Sequence, residues 1–227
     1  MLLASGIVLY GIAGFAVTAC QFEISKDRGS IKPLVFSNKR MDIDKGGGFS
    51  IYDATNEKNI ELSNGSAKRS NGKVVFTCKR NDDIRLYAEF KDTGDYILVK
   101  GYLENRQRNA RGLILDYTIP FCGKDATFSN EFNSSVRISD SEQEGNVFPV
   151  ASMCKSNSGV AMAIPPTDPR IFGMAGSPEG LIIRFYMGTS PVTRNFPNQA
   201  SFVFIIYPVD PEWGFRDALS KYYSFYT

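Results

Sequence analysis

The chain has 227 residues, a formal net charge of +2 and no histidine, so the commonest general base and the commonest metal ligand are both missing. Serine–histidine and cysteine–histidine nucleophile pairs cannot be built from it, and a zinc site would rest on carboxylates and on Cys78, Cys122 and Cys154, which sit singly. No metal or other cofactor is expected, the balanced charge gives no footprint for nucleic acid, and of the hydrolytic mechanisms only a carboxylate pair of the glycosidase kind is left open.

Residues 2–19 carry no charge, and the run ends in Val17-Thr18-Ala19-Cys20 before the composition turns polar. A short apolar run closing on small residues reads as a signal peptide over 1–20. The tetrapeptide also resembles a bacterial lipobox, which implies that Cys20 is lipidated and becomes the first residue of the mature protein. The departure is that no Lys or Arg lies between Met1 and Cys20. Two other fates stay open: an ordinary cleavage site just before Cys20, or an uncleaved anchor of near-minimal spanning length. The expectation is export to the cell surface or periplasm, with membrane contact only through such an N-terminal lipid or anchor. If Cys20 is acylated, three cysteines remain, enough for one disulfide at most.

Asp42-Ile43-Asp44-Lys45-Gly46-Gly47 resembles the start of a calcium loop, with Asp53 at the closing position. Gly46 stands where an oxygen ligand belongs and no helices flank the segment, so the glycines read as a turn. Beyond it the hydrophobic period is two. Segments 74–78, 84–90, 96–104 and 113–120 alternate or run with β-branched and aromatic residues between turn signals. Residues 91–95 join the second and third as a hairpin loop, 105–109 are expected to do the same for the next pair, and Pro120 closes the last at a strand end. Arg106, Arg108 and Arg111 read as the solvated end of that second hairpin. Segment 140–146 reads as an exposed loop, and 147–152, 159–164, 171–175, 181–187 and 201–207 as further short strands. Many strands without covering helices indicate an all-β, two-sheet antiparallel sandwich over 21–209.

One helix is expected, over 210–227, with Asp210 as its cap and Pro211 at its first position. Trp213, Ala218, Leu219, Tyr222 and Tyr223 recur along it at helical spacing and form an apolar stripe. Gly214 suggests close approach of another backbone.

Gly46-Gly47-Gly48-Phe49-Ser50-Ile51-Tyr52-Asp53, Thr167-Asp168-Pro169-Arg170, Met187-Gly188-Thr189-Ser190-Pro191, the segment 196–202 and Trp213-Gly214-Phe215-Arg216 with Tyr222-Tyr223 together resemble the N-terminal sandwich of large secreted glycoside-hydrolase-like proteins. That sandwich is of the galactose-mutarotase-like, or supersandwich, kind. The resemblance covers most of the chain after Cys20. It implies that the helix leads into a following barrel domain that would carry catalysis, with Trp213, Phe215, Arg216, Tyr222 and Tyr223 at an interdomain contact or packed on the sandwich. The chain itself is then expected to be a non-catalytic module that supports the barrel or positions a polysaccharide. The rivals are a stand-alone glycan-binding surface lipoprotein and a glycosidase with a carboxylate pair in the sandwich. Aromatic residues, 13% of the chain, suffice for a sugar-stacking platform, but the sequence does not show which rings are exposed.

Overall fold

Period-two alternation builds this protein. In the segment Ile84–Asp92, buried Ile84, Leu86, Ala88 and Phe90 alternate with half-open Arg85, Tyr87 and Glu89, so one set faces a core and the other faces away. The computed structural model describes residues 20–36, 39–41, 43–44, 46–62, 65–80, 83–121 and 125–227. The apolar run 1–19, Asp42, Lys45 and Cys122 lie outside the described residues.

In chain order the described elements are β1 (Gln21–Ile24), β2 (Ile31–Phe36), β3 (Lys39–Arg40), β4 (Gly48–Asp53), β5 (Lys58–Ile60), β6 (Ser66–Ser70), β7 (Lys73–Arg80), β8 (Ile84–Asp92), β9 (Ile97–Asn105), β10 (Arg111–Ile119), β11 (Thr127–Glu131), β12 (Ser134–Arg137), β13 (Gln143–Gly145), β14 (Val150–Cys154), β15 (Gly159–Ala163), β16 (Phe172–Ser177), β17 (Gly180–Thr189), β18 (Gln199–Val209) and α1 (Phe215–Ser224). A nine-stranded sheet in the order β12-β11-β14-β15-β18-β9-β8-β7-β6 faces a six-stranded sheet in the order β13-β16-β17-β10-β4-β5, and β1-β2-β3 form a small third sheet. Each of the nine expected strand segments overlaps one of these elements. The short polar strands were not expected: β6 and β12, the two edges of the large sheet, carry Lys68, Arg69 and Arg137, which is how exposed edges resist pairing with other chains.

The sheets meet through aromatic rings. Phe49 lies 4.6 Å from Tyr117 and 5.6 Å from Phe202, and Tyr117 lies 5.0 Å from Phe204. All four are buried, and each fully buried ring contributes about 1.5–3 kcal/mol. The Tyr117 hydroxyl donates to the Gly29 carbonyl at 3.3 Å, and burial pushes its pKa well above the ordinary phenol value.

Three expectations need correction. The segment 105–109 is not a hairpin loop, because β9 belongs to the large sheet and β10 to the small one. Buried Asn105 turns the chain across the end of the core: its Nδ2 donates to the Asn109 carbonyl at 2.9 Å and to Thr189 Oγ1 at 3.3 Å. Arg106 and Arg108 are exposed as expected, but Arg111 is buried and paired with buried Asp53. Within the expected loop 140–146, Gln143–Gly145 forms β13, an edge strand against β16.

Asp53 is fully engaged by protein donors. Its Oδ1 accepts from the amides of Thr55 (3.1 Å) and Asn56 (3.2 Å), and its Oδ2 accepts from Asn56 Nδ2 (2.7 Å) and Arg111 Nη2. Burial alone would raise its pKa, but the hydrogen bonds from Asn56 and Arg111, with the arginine charge, hold it below the usual carboxylate range. The stability this supplies is present above the unfolded value of about 3.9 and is lost as pH falls through the lower folded value. Arg111→Ala, which strands the carboxylate, is expected to cost about 3–5 kcal/mol in urea denaturation. Arg111→Met combined with Asp53→Leu should cost much less, because no charge is left buried.

Candidate functional site

The outer face of the large sheet is divided between a covered half and an open half, and β18 shows the boundary within one strand. Phe202, Phe204 and Ile206 point into the core between the sheets, whereas Ile205, Tyr207 and Val209 lie in a second apolar cluster with Val150, Ala161 and Ala163. Phe215, Ala218, Leu219 and Tyr222 of α1 pack onto that cluster. Two hydrogen bonds lock the helix down: the Tyr207 hydroxyl donates to the Ala218 carbonyl and the Tyr222 hydroxyl to the Ile164 carbonyl, both at 2.9 Å. Burial pushes the Tyr222 phenol up to about 12, with Tyr223 adding to the effect.

Farther along the same face, at Ser201, β18 becomes exposed and polar. Register places Ser66 opposite Thr77, Thr77 opposite Tyr87, Tyr87 opposite Tyr102 and Tyr102 opposite Ser201, a row across five strands. The Tyr87 and Tyr102 rings stack, with centroids 5.2 Å apart and planes at 14°. Ser66 Oγ and Thr77 Oγ1 share a hydrogen bond of 2.9 Å. On one side of the rings Lys73 pairs with Glu89 at 2.8 Å, and on the other Arg85 pairs with Glu104 at 3.2 Å. The 165–171 connection brings Arg170 over the row, with Nη2 at 3.1 Å from Ser201 Oγ and 2.7 Å from the Asp168 carboxylate. Exposed Lys100 lies opposite Glu89 across β8 and β9.

Burial, and secondarily the Glu89 charge, raises the Tyr87 phenol above its ordinary value, so it remains a hydroxyl able to donate at neutral pH. Each of the three carboxylates has a cation of its own, and Lys73, Arg85, Lys100 and Arg170 outnumber Glu89, Glu104 and Asp168. The face therefore offers a pair of mutually stacked, half-buried rings surrounded by hydrogen-bonding groups, with an excess of positive charge to which exposed Lys68, Lys79 and Lys91 on the same side of the sheet add.

The helix residues separate into two sets. Phe215 and Tyr222 are buried against the sandwich, whereas Trp213 and Tyr223 are 60% and 56% exposed and Arg216 faces solvent. The helix begins at Phe215, four residues beyond the expected first position at Pro211. Asp210 caps a preceding turn instead: its carbonyl accepts from the amides of Trp213 (3.2 Å) and Gly214 (2.9 Å), and its Oδ1 from the Glu212 amide (3.0 Å). Gly214, at φ 52° and ψ −125°, ends that turn. A Cβ there would meet nothing within 4 Å, so the glycine is needed for its torsion angles and not for the close backbone approach expected from the sequence.

Cys20 is buried in the main core, where desolvation and the nearby Asp92 charge push its thiol up to about 12. An acyl group on this sulfur would require the residue to leave that position. Cys154 is also buried, its thiol pushed up to about 11 chiefly by burial. Among the described residues, no helix is long and apolar enough to cross a membrane.

No protein-family model matches the sequence, and no curated protein is similar to it at sequence level. Solved structures share its fold. A protein of Escherichia coli provisionally assigned as an aldose 1-epimerase superposes with a TM-score of 0.58 at 8% identity, over 83% of this chain and 95% of that one. A galactose mutarotase related enzyme from Lactobacillus acidophilus gives 0.52 at 10% identity, over 85% and 95%. A polysaccharide lyase gives 0.54 at 14% identity, over 90% of this chain but 34% of the lyase. The chain thus has the galactose-mutarotase-like sandwich fold, which recurs both as nearly a whole protein and as one part of a larger one.

Replacing Gly214 by alanine should lower stability by about 1–2 kcal/mol, because an L side chain disfavours positive φ even where space is free. Urea denaturation of Gly214→Ala beside Ser220→Ala, a change at an exposed helical position, measures it. An unchanged midpoint for Gly214→Ala would show that the turn relaxes without cost.

Proposed function

We propose that this chain is a non-catalytic, glycan-positioning β-sandwich module of an exported carbohydrate-active protein. The observation that carries the reading is the stacked Tyr87–Tyr102 pair, set on the uncovered half of the large sheet and flanked by two ion pairs. A pyranose presents an apolar C–H face and a rim of hydroxyls. Aromatic carbons satisfy the first, and charged or hydroxyl side chains beside them satisfy the second. The likeness to a galactose mutarotase related enzyme and to part of a polysaccharide lyase supports the carbohydrate class and the modular role. Fold alone does not assign a function; the tyrosine face carries the reading.

In this reading the exposed side of α1, with Arg216 and Tyr223, meets a following barrel domain that performs the chemistry. Export rests on the uncharged run before Cys20, whether that cysteine is lipidated or simply follows a cleavage site. A glycosidase within the sandwich is the second reading, since Glu89 and Glu104 flank the tyrosine pair.

Binding and turnover on a panel of neutral and acidic polysaccharides test the proposal. We expect binding without product release, stronger for acidic chains and weakened by salt because cations are in excess. Tyr102→Ala should reduce affinity by about tenfold or more, as removal of a central aromatic contact does. Turnover that persists through repurification and disappears in Glu89→Gln or Glu104→Gln would assign the chemistry to the sandwich.

A further inference from the structure

A second opening lies on the far side of α1 from the tyrosine pair. It is a groove of about 500 Å³ between the turn leading into the helix and strands β11, β12 and β14. Ser129 and Ser152, opposite each other in register and both buried, line it. One side is an aromatic triangle: Phe132, 52% exposed, meets Phe215 at 5.8 Å and Phe148 at 5.6 Å in edge contacts, and Phe148 meets Phe215 at 5.7 Å. Trp213 stands at the other side, and its turn is tied by three hydrogen bonds to Asp210, so the indole is presented from a fixed backbone. Such pre-organisation lowers the entropy that a ligand would otherwise have to offset.

The charge of this groove is opposite in sense to that of the open face. Glu131 and Glu212 line it against the single cation Arg216; Asp217, close behind, accepts from the Asp210 amide at 2.7 Å and is neutralised by Lys221 at 2.8 Å, so the negative excess rests on Glu131, Glu212 and Asp210. Hydroxyl-bearing walls suit a partner that is itself rich in hydroxyls better than an apolar protein surface. The negative balance disfavours sulfated or uronate sugars. A half-open indole completes the usual needs of a pyranose.

We infer that this groove is a second carbohydrate subsite, selective for uncharged sugar residues. Trp213 stacks on the sugar ring, and Glu131 and Glu212 accept hydrogen bonds from its hydroxyls. The groove shares no residue with the tyrosine face, so binding at the two can fail separately; Arg216 at its rim is the one lining residue that also lies on the helix side assigned to a following domain.

Trp213 is the only tryptophan in the sequence, so its emission reports on this groove alone. The wild-type chain is titrated with neutral gluco- and galacto-oligosaccharides and, in parallel, with oligogalacturonates, up to about 10 mM, where even millimolar binding registers. The expected result is a saturable emission change with at least one neutral series and none with the uronates. Glu131→Ala should weaken that response by about tenfold, the loss typical of a hydrogen bond to a charged group, and Tyr102→Ala should leave it unchanged. Emission that responds to no neutral sugar, responds to the uronates, or depends on Tyr102 would overturn the assignment.

Discussion

The packing of α1 onto the back of β18 is the contact on which the arrangement of this face depends. A nine-stranded sheet has two faces, and the six-stranded sheet covers only one of them. On the other, Val150, Ala161, Ala163, Ile205, Tyr207 and Val209 form an apolar strip that would invite association if bared. The helix covers that strip with Phe215, Ala218, Leu219 and Tyr222, and where it stops the sheet turns polar. The tyrosine row on one side of it and the tryptophan groove on the other are the two uncovered remainders.

Much of the sandwich is legible in the sequence because alternation is a local signal. The 84–90 and 96–104 segments already place Arg85, Tyr87 and Glu89 on one face and Lys100, Tyr102 and Glu104 on one face. Counting outward from a 91–95 loop would set Tyr87 opposite Val99; the observed register, with Asp92 opposite Ile97, sets it opposite Tyr102. What alternation cannot reveal is which face is covered, since that depends on a helix more than a hundred residues away. Gly101 illustrates the same limit: the Phe202 ring lies 2.4 Å from where its Cβ would stand, a reason for glycine that only tertiary packing supplies. The edge strands escaped notice because their polar sequences serve to discourage pairing and so resemble loops. Arg111 looked like surface charge because its partner Asp53 lies fifty-eight residues earlier.

The two uncovered areas differ in chemistry as well as place. The tyrosine face carries paired charges with cations in excess, and the tryptophan groove carries hydroxyls with carboxylates in excess. A module with both would hold a glycan at two points of unlike selectivity, which increases effective concentration if one chain can reach both. The fold leaves this free to vary, since the strands below each area are fixed by the core while the outward side chains are not.

Tyrosine ring resonances recorded during titration with a bound oligosaccharide test the central claim most directly. The chain has eleven tyrosines. Of these, Tyr87 and Tyr102 lie on the uncovered half of the large sheet, and Tyr52 and Tyr186, 36% and 43% exposed, belong to the small sheet and provide an internal control. The account predicts saturable shifts at Tyr87 and Tyr102 with Tyr52 and Tyr186 unmoved. Shifts confined to the small-sheet tyrosines, with Tyr87 and Tyr102 silent, would contradict it.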